Sequence, residues 1–318
     1  MKCSECVNVT KRPAEVAIQA VRGFDGLRSL LSMRFRLLFL PLLVCSVLGS
    51  SVEPAVKIEK NITYLPEGRK EKADLYFPVE DGEKHPGILI IHGGGWAGGV
   101  KDAAREINIG TTLATHGYVC MSIEYQLHDP KSDTMCWPQN LYDCKTAVRW
   151  MRANAERLHL DVDHIGVIGG SAGGHLASMV GVTKPTDGLE PAGPYAEQST
   201  QVNCVVDMYG PVDVTSWKDI SALRTTRAQN PELYKQFSVP TYLDKNDPPF
   251  LILQGTADKT VDMSQSVAFD KLLTEYGIEH HLELIPDAPH TFHLQPKQKD
   301  LRPLVLAFFD KHLKPSVK

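Results

Sequence analysis

The sequence predicts an α/β fold in which a mostly parallel sheet of eight strands is covered by helices on both faces. Apolar runs of strand length alternate along the chain with segments whose apolar residues recur every three or four positions. Several runs are continuously apolar, which is typical of strands that are covered on both faces. The composition, 42% hydrophobic and 23% charged over 318 residues, is that of an ordinary globular protein.

Eight apolar runs have the length of strands. They are residues 58–64, 73–77, 88–91, 118–123, 165–168, 202–208, 250–253 and 281–285. The first two alternate apolar with polar residues and suit an antiparallel edge of the sheet. The others are separated by helical segments, so we expect them to pair in parallel.

Five segments have helical periodicity. They are residues 102–116, 139–158, 172–181, 264–276 and 299–313. The clearest is 139–158, whose apolar positions lie three and four apart. Two other stretches, 184–200 and 212–247, are long for connections between elements. We therefore expect them to be small cap insertions over one end of the sheet that act as lids.

Residues 1–50 form an N-terminal extension that precedes a single larger domain, 51–318. The extension carries seven basic and three acidic residues, against 27 basic and 35 acidic residues in the remainder. From Met33, two arginines precede an apolar run that ends at small residues, which predicts a signal peptide with core 33–49. We expect translation to begin at Met33 and the protein to be secreted or periplasmic. A buried helix and a lipid anchor are the alternatives.

The charge of the larger domain excludes some classes of partner. Its excess of acidic residues provides no general attraction for nucleic-acid phosphates or anionic lipid. The apolar run of the extension is too short to span a bilayer as a stable helix. We therefore expect neither a nucleic-acid partner nor a stable membrane span.

The cysteines and histidines do not indicate a metal site. Four cysteines follow residue 50, and no two of them have C-x-x-C spacing. Cys120 and Cys204 lie in strand-like runs, and we interpret them as small buried hydrophobic residues. In an oxidising compartment, Cys136 and Cys144 are the better candidates for a disulfide because they flank a turn into a helix. The histidines near the C-terminus include neighbours that a strand would direct to opposite faces, so we expect no metal.

Residues Gly169-Gly170-Ser171-Ala172-Gly173 form a G-x-S-x-G motif. The motif follows an apolar strand and opens a helix, which is the setting of a nucleophile elbow. The turn is so tight that Gly169 and Gly173 must lack side chains, and it lifts Ser171 off the sheet edge. A serine hydroxyl is a weak nucleophile and requires a base within hydrogen-bond reach. The alternative is a chance glycine–serine turn, which the strand–turn–helix setting disfavours.

A second motif, residues 92–96 (HGGGW), directly follows another apolar strand. A glycine backbone can approach a ligand closely because no side chain shields it. We expect the N–H groups of Gly94, Gly95 and, from the elbow, Ala172 to hold the oxyanion of a tetrahedral intermediate. Trp96 is expected to form a wall of the substrate pocket. Taken alone, the glycine run would be only a flexible turn.

An acidic residue and a histidine follow the serine in the chain order that such an elbow requires. Asp258 and His290 each come shortly after an apolar strand, at the edge where open α/β sheets carry their sites. Asp258 would fix the imidazole tautomer of His290 and stabilise the imidazolium that forms when Ser171 loses its proton.

The sequence leaves alternatives for the acid and for the base. Asp262 is the alternative acid, although its position suits the first turn of the next helix. His281 and His293 are the alternative bases, one within a strand and one further along the loop. We interpret His175, four residues after the serine, as a packing residue, and we expect His92 to support the glycine-rich loop by hydrogen bonds.

Together these motifs resemble those of the α/β-hydrolase superfamily, specifically the hormone-sensitive-lipase-like and feruloyl/acetyl-xylan-esterase-like esterases. The resemblance covers about residues 56–314, with further similar segments at 124–127, 137–143, 149–155 and 247–250. It implies a catalytic domain with serine carboxylesterase activity and no cofactor. Gly170 stands where hormone-sensitive-lipase-like enzymes usually have an acidic residue, which favours the acetyl-xylan/feruloyl group. Gln254 stands where a histidine is common.

The resemblance and the export signal lead us to expect an exported serine carboxylesterase that hydrolyses short-acyl esters through an acyl-enzyme intermediate. Acetyl or feruloyl groups on polysaccharide are the substrate class that the resemblance implies, so the expected partners are small ester or acylated polysaccharide substrates. An arylformamidase-type amide hydrolase and a non-catalytic hydrolase-fold binding domain are the alternatives.

Overall fold

The structure, a computed structural model, describes residues 56–314. The strands are β1 (Lys57–Ile62), β2 (Ala73–Phe77), β3 (His85–Ile91), β4 (Val119–Ile123), β5 (Leu160–Gly170), β6 (Cys204–Met208), β7 (Phe250–Gly255) and β8 (His280–Ile285). The helices are α1 (Ala104–Ala114), α2 (Gln139–Ala153), α3 (Ala155–Leu158), α4 (Ala172–Val182), α5 (Pro231–Gln236), α6 (Ser264–Tyr276) and α7 (Arg302–Leu313). The extension and its signal peptide, expected within residues 1–50, lie outside the described residues.

The eight strands follow the order β1-β2-β4-β3-β5-β6-β7-β8 across one sheet. β2 pairs with β1 and with β4 in antiparallel fashion, and every other neighbouring pair is parallel. The predicted mostly parallel eight-stranded sheet with an antiparallel edge is therefore confirmed. Parallel strands end at the same edge, so the loops after β3, β5, β6, β7 and β8 gather there.

Successive residues of the central strands point into two separate hydrophobic cores. On β3, Leu89 and Ile91 belong to one core, whereas Ile88 and Ile90 belong to the other. All four side chains are inaccessible to solvent. Burying one such side chain contributes roughly 1.5–3 kcal/mol relative to leaving it exposed, so both faces stabilise the sheet. This double burial is why the strand is continuously apolar in sequence.

The predicted helix 139–158 is two helices, α2 and α3. The break falls at Asn154, whose φ of −106° and ψ of 18° are not helical. Its side-chain amide donates to the Trp150 carbonyl oxygen at 2.9 Å, so the side chain occupies an acceptor that belongs to the helix backbone. α3 then ends at His159, which is left-handed with φ of 50°. None of the helices within the described range combines the length and the apolar character of a membrane span.

The two insertions differ in how they lie relative to the edge at which the parallel strands end. Segment 184–200 follows α4, which runs back from the elbow, and it packs on α2 where Lys145 and Arg149 pair with Glu190 at 2.5 and 2.8 Å. This position differs from the lid expected from the sequence, because α4 carries the chain away from the edge where the strands end. Segment 212–247, which contains α5, follows β6 and starts at that edge. Its last residues return to the opposite edge before β7, where Asp244 and Asp247 pair with Lys184 at 3.2 and 2.9 Å.

All four cysteines of the described chain have free, buried thiols. The disulfide considered between Cys136 and Cys144 is not formed. Cys136 precedes α2 by three residues, whereas Cys144 lies five positions beyond its first residue, Gln139. A helical rise of ~1.5 Å per residue places Cys144 about 7.5 Å along the helix from that first residue alone. A disulfide requires Cα atoms within about 7 Å. Cys136 Sγ instead contacts the Trp96 and Ala222 carbonyl oxygens at 4.0 and 3.8 Å.

Candidate active site

The serine of the G-x-S-x-G motif occupies a strained turn between β5 and α4. Ser171 has φ of 58° and ψ of −123°, a backbone conformation that persists only where the surrounding structure enforces it. A methyl group at Gly169 would lie 2.1 Å from the Gly173 carbonyl oxygen, and one at Gly173 would lie 2.1 Å from the Ile91 carbonyl oxygen. The Ser171 N–H donates to the Met208 carbonyl oxygen at 2.8 Å. Close backbone contacts therefore fix the turn and require both glycines.

The structure brings Ser171, His290 and Asp258 into one hydrogen-bonded chain. His290 Nε2 lies 2.9 Å from Ser171 Oγ, and its Nδ1 lies 2.6 Å from Asp258 Oδ2. The Asp258 side chain is inaccessible to solvent, and its Oδ1 accepts the N–H groups of Thr260 and Val261 at 2.8 and 2.9 Å. The carboxylate thereby keeps the proton on Nδ1 and leaves Nε2 free to accept the serine proton.

The alternative acid and bases lie elsewhere. Asp262 accepts the Ser264 N–H at 2.9 Å at the start of α6, and this bond holds the pKa of the Asp262 carboxyl below its usual value. His281 is about half exposed and pairs with Glu283 at 3.5 Å. His293 is exposed at the margin of the cavity described below. None of these three residues is in hydrogen-bond contact with the serine, whose partner is the histidine named above.

The glycine-rich loop after β3 packs against the elbow and leaves backbone donors free. A methyl group at Gly93 would lie 2.6 Å from the Gly170 carbonyl oxygen, so the two backbones touch. Gly94 has φ of 122°, and a methyl group there would lie 2.1 Å from a carbonyl oxygen of its own loop. In the described chain, the N–H groups of Gly94, Gly95 and Ala172 have no acceptor, and all three residues line one cavity with the serine. This arrangement can hold an oxyanion.

A cavity of about 640 Å³ lies over the serine. Its walls come from the glycine-rich loop, the first turn of α1, the loop that carries His290, and residues 217–221 of the second insertion. Trp96 lines the cavity, where the sequence predicts a wall, but it is only 3% exposed. Its ring meets those of His175 and Phe237 edge-on at 5.3 and 5.1 Å. This wall is therefore fixed by the core behind it.

The cavity also contains side chains that no motif indicates. Lys218 Nζ lies 4.1 Å from the centre of the Trp217 ring at one end of the cavity. Arg105 and Glu106 line it from α1, although they are only 9% and 1% exposed. One signal was available in the sequence: Arg105 lies four positions before Ile109, on the helix face that packs against the sheet. A charged residue on such a face indicates a partner in the interior.

Three buried titratable residues surround the site. Burial lowers the pKa of both His92 and His175 to about 4, so each imidazole is neutral at neutral pH. His92 Nδ1 donates to the Gly93 carbonyl oxygen and His175 Nε2 to that of Phe237, both at 2.7 Å. These bonds fit the supporting and packing roles expected for them. Burial raises the pKa of Asp207 to about 7. Across residues 56–314, no three potential ligands cluster as a metal site would require.

The strand order, the elbow after β5, and the acidic residue and histidine that follow β7 and β8 define this protein as an α/β-hydrolase. Residues 73–273, more than half of the chain, match one branch of that class. The protein belongs to the BD-FAE family.

Three named relatives of the chain are esterases or carboxylic ester hydrolases. Esterase LipQ of Mycobacterium tuberculosis is 30% identical over 249 residues, which are 74% of this chain and 57% of that protein. The chain spans about half the length of the curated relatives it matches. A solved truncated carbohydrate esterase from gut microbiota has a TM-score of 0.75 at 25% identity, covering 83% of this chain and 99% of that one. A bifunctional GH43-CE protein of Bacteroides eggerthii has a TM-score of 0.72 at 28% identity, covering 80% and 35%. The resemblance to ester hydrolases is therefore confirmed.

Proposed function

We propose that this protein is a serine carboxylesterase in which Ser171 is the nucleophile, His290 the base and Asp258 the acid that orients it. The observation that carries the proposal is the unbroken chain of contacts at 2.9 and 2.6 Å between these three side chains. Such a base within hydrogen-bond reach is what activates a serine hydroxyl. A non-catalytic binding domain is disfavoured because the chain of contacts is complete and free backbone donors accompany it.

Ester hydrolysis then proceeds in two steps. His290 Nε2 takes the proton from Ser171 Oγ while that oxygen attacks the ester carbonyl carbon. The N–H groups of Gly94, Gly95 and Ala172 hold the negative charge that develops on the carbonyl oxygen. Nε2 returns the proton to the departing alcohol, which leaves an acyl-enzyme. Water attacks the acyl group by the same route, which releases the carboxylic acid and restores the serine.

The proposed substrate is an acyl ester on a sugar, either a short group such as acetyl or a feruloyl group on polysaccharide. A structural relative that is named a carbohydrate esterase supports this class. The cavity supports it as well, because Trp217 is half-buried at its wall and the neighbouring Lys218 and Asp219 are exposed. A flat apolar ring beside charged groups suits a sugar, which combines an apolar ring face with hydroxyl groups.

The test is hydrolysis of nitrophenyl acetate, butyrate and octanoate by the purified protein, together with release of acetate from acetylated xylan. We expect the acetate to be the best nitrophenyl ester and xylan to release acetate. Ser171→Ala should lower kcat by about 1000-fold or more. Ser122→Ala is the matched control, because Ser122 is a buried serine on β4 whose hydroxyl donates to the Lys101 carbonyl oxygen.

Each outcome of these assays decides one part of the proposal. A wild-type rate in Ser171→Ala would overturn the assigned nucleophile. Hydrolysis of nitrophenyl acetate without release of acetate from xylan would keep the esterase and remove the polysaccharide substrate. Faster turnover of an aryl formamide than of any ester would favour the arylformamidase-type alternative.

We propose further that the protein is secreted or periplasmic, with residues 33–49 as the core of its signal peptide. The order of basic, apolar and small residues in that segment supports export. N-terminal sequencing of the mature protein, expressed with a C-terminal tag, should find a new terminus directly after Gly49. An intact N-terminus in the cell interior would contradict export.

A further inference from the structure

The loop that carries the proposed base needs support from outside itself. In the described chain, residues 286–301 between β8 and α7 form no helix or strand. Thr291, next to His290, has φ of 64°, which is unfavourable for a β-branched residue. The imidazole nevertheless lies 2.9 Å from Ser171 Oγ. The contacts at Nδ1 and Nε2 leave the ring free to tilt about the axis that joins these two atoms, so a further contact is required to fix its plane.

Tyr209, directly after β6, contacts this loop at three points. The centre of its ring lies 4.9 Å from that of the His290 imidazole, with the two planes at 67°. The ring also meets the Phe292 ring at 4.6 Å and 70°. The Tyr209 hydroxyl donates to the Phe292 carbonyl oxygen at 3.0 Å. The tyrosine is inaccessible to solvent, and its own N–H is bound to the Leu253 carbonyl oxygen at 2.8 Å.

Arg105 fixes the tyrosine from the other side. Its Nη1 donates to the Tyr209 hydroxyl at 2.9 Å. Its Nε and Nη2 donate to the Glu106 carboxylate, Nε at 2.9 Å. Burial raises the pKa of Tyr209, so the hydroxyl keeps its proton and donates to the loop while it accepts from the guanidinium. The ion pair neutralises a charge that would be costly to leave alone in the interior.

The same guanidinium reaches the two other loops of the site. A methyl group at Gly170 would lie 2.8 Å from Arg105 Nη1, and one at Gly93 would lie 3.3 Å from Nη2. Arg105 therefore touches the residue before the nucleophile and the start of the glycine-rich loop. Through Tyr209 it is also connected to the loop of the base. The reaction proposed above does not use this cluster in any chemical step.

We propose that Tyr209, locked by Arg105, is a positioning residue that holds the His290 imidazole in line with the nucleophile. This inference rests on the triad proposed above. Proton transfer depends steeply on geometry, and a misplacement of ~1 Å can cost on the order of 100-fold in rate. A purely structural tyrosine would affect stability without lowering kcat selectively.

Tyr209→Phe tests the proposal because it keeps the ring and removes only the hydroxyl. We expect kcat for nitrophenyl acetate to fall by about 10- to 100-fold while KM changes by less than about twofold. Tyr118→Phe is the matched control: Tyr118 is also fully buried, and its hydroxyl donates to Asp310 at 2.6 Å, away from the cavity. It should lose stability and keep its kcat. Thermal unfolding of both variants separates loss of folding from loss of rate.

Arg105→Lys provides a second, independent variant that keeps the charge and shortens the reach to the tyrosine. It should reproduce the loss of kcat, and the double variant Arg105→Lys/Tyr209→Phe should lose no more than either change alone, because both break the same bond. Wild-type kcat in folded Tyr209→Phe or in folded Arg105→Lys would overturn the positioning role, and so would full additivity. Ser171→Ala distinguishes the two proposals: if it stays active, the triad fails; if it is inactive while Tyr209→Phe is unimpaired, only the positioning role fails.

Discussion

Asp207→Asn is expected to stabilise the protein, and to do so more at pH 8 than at pH 5. Asp207 lies on β6 beneath α4 and is only 1% exposed. Its Oδ1 accepts the Gly210 N–H at 2.8 Å, and its Oδ2 accepts the Ser178 hydroxyl at 3.3 Å. Both of these partners are neutral, and burial raises the pKa of the carboxyl to about 7. Asparagine has the same shape and can accept the same N–H without carrying a charge.

The direction of this pH dependence follows from the difference in the pKa of Asp207 between the folded and the unfolded chain. In the unfolded chain the carboxyl titrates near 3.8, so between about pH 4 and pH 7 the folded protein holds a proton that the unfolded chain has lost. The free energy of unfolding of the wild type therefore falls as pH rises through this window and levels off above it. Each pH unit corresponds to ~1.4 kcal/mol, so about 3 kcal/mol is lost between pH 5 and pH 8. The asparagine variant does not have this loss.

Urea unfolding at pH 5 and pH 8 measures the effect. The difference in free energy of unfolding between Asp207→Asn and wild type should increase by about 3 kcal/mol from pH 5 to pH 8. Asp133→Asn is the control, because the Asp133 side chain is fully exposed and its variant should behave alike at both pH values. If the Asp207 variant shows the same difference at pH 5 and pH 8, or is less stable than wild type at pH 8, the reasoning is refuted.

Two further predictions concern the site itself. Gly94→Ala should lower kcat/KM by about 100-fold or more, because its methyl group would meet a carbonyl oxygen at 2.1 Å and displace the oxyanion donors. Gly95→Ala has only the strain of a φ of 62° and open space at its Cβ, so it should lose less than about tenfold. Equal losses would contradict the close approach. Asp258→Asn should lower kcat by about 1000-fold or more with little change in KM. The kcat of Asp262→Asn should stay within about twofold of wild type. Initial rates that are lower for Asp262→Asn than for Asp258→Asn would assign the acid role to Asp262.

The strand centres are readable from the sequence because each central strand is buried on both sides, which leaves a continuous apolar run. β2 has the bounds that the sequence predicts, Ala73–Phe77. β5 is longer than its apolar run 165–168. The sequence did not predict its first half because that half contains Asp161, Asp163 and His164. Pairing with β3 starts at Leu160 and shifts register before it resumes at Ile165, so these polar residues lie in an irregular part of the strand that the hydrophobic pattern does not reveal.

Some residues of the site can likewise be predicted from a local sequence pattern, whereas others depend on contacts between distant parts of the chain. Ser171, Asp258 and His290 could each be chosen from the sequence because each follows a strand in a short local pattern, and the structure brings them within hydrogen-bond distance. The contact of Arg105 with Tyr209 joins residues 104 positions apart, each ordinary in its own segment. Only the fold shows that they meet. The wall formed by Trp217 was missed for the same reason, since it lies in an irregular stretch without periodicity.

The cavity is assembled from two different parts of the chain. The groups proposed to perform the chemistry sit on loops that leave the sheet, where close backbone contacts hold them, whereas residues 217–221 belong to a long insertion that adds no strand to that sheet. Sequence variation within 217–221 can therefore change which esters enter the cavity while the proposed hydrolytic residues stay in place. Exchange of this segment between relatives, in evolution or by design, is therefore expected to change selectivity without changing the proposed hydrolytic residues.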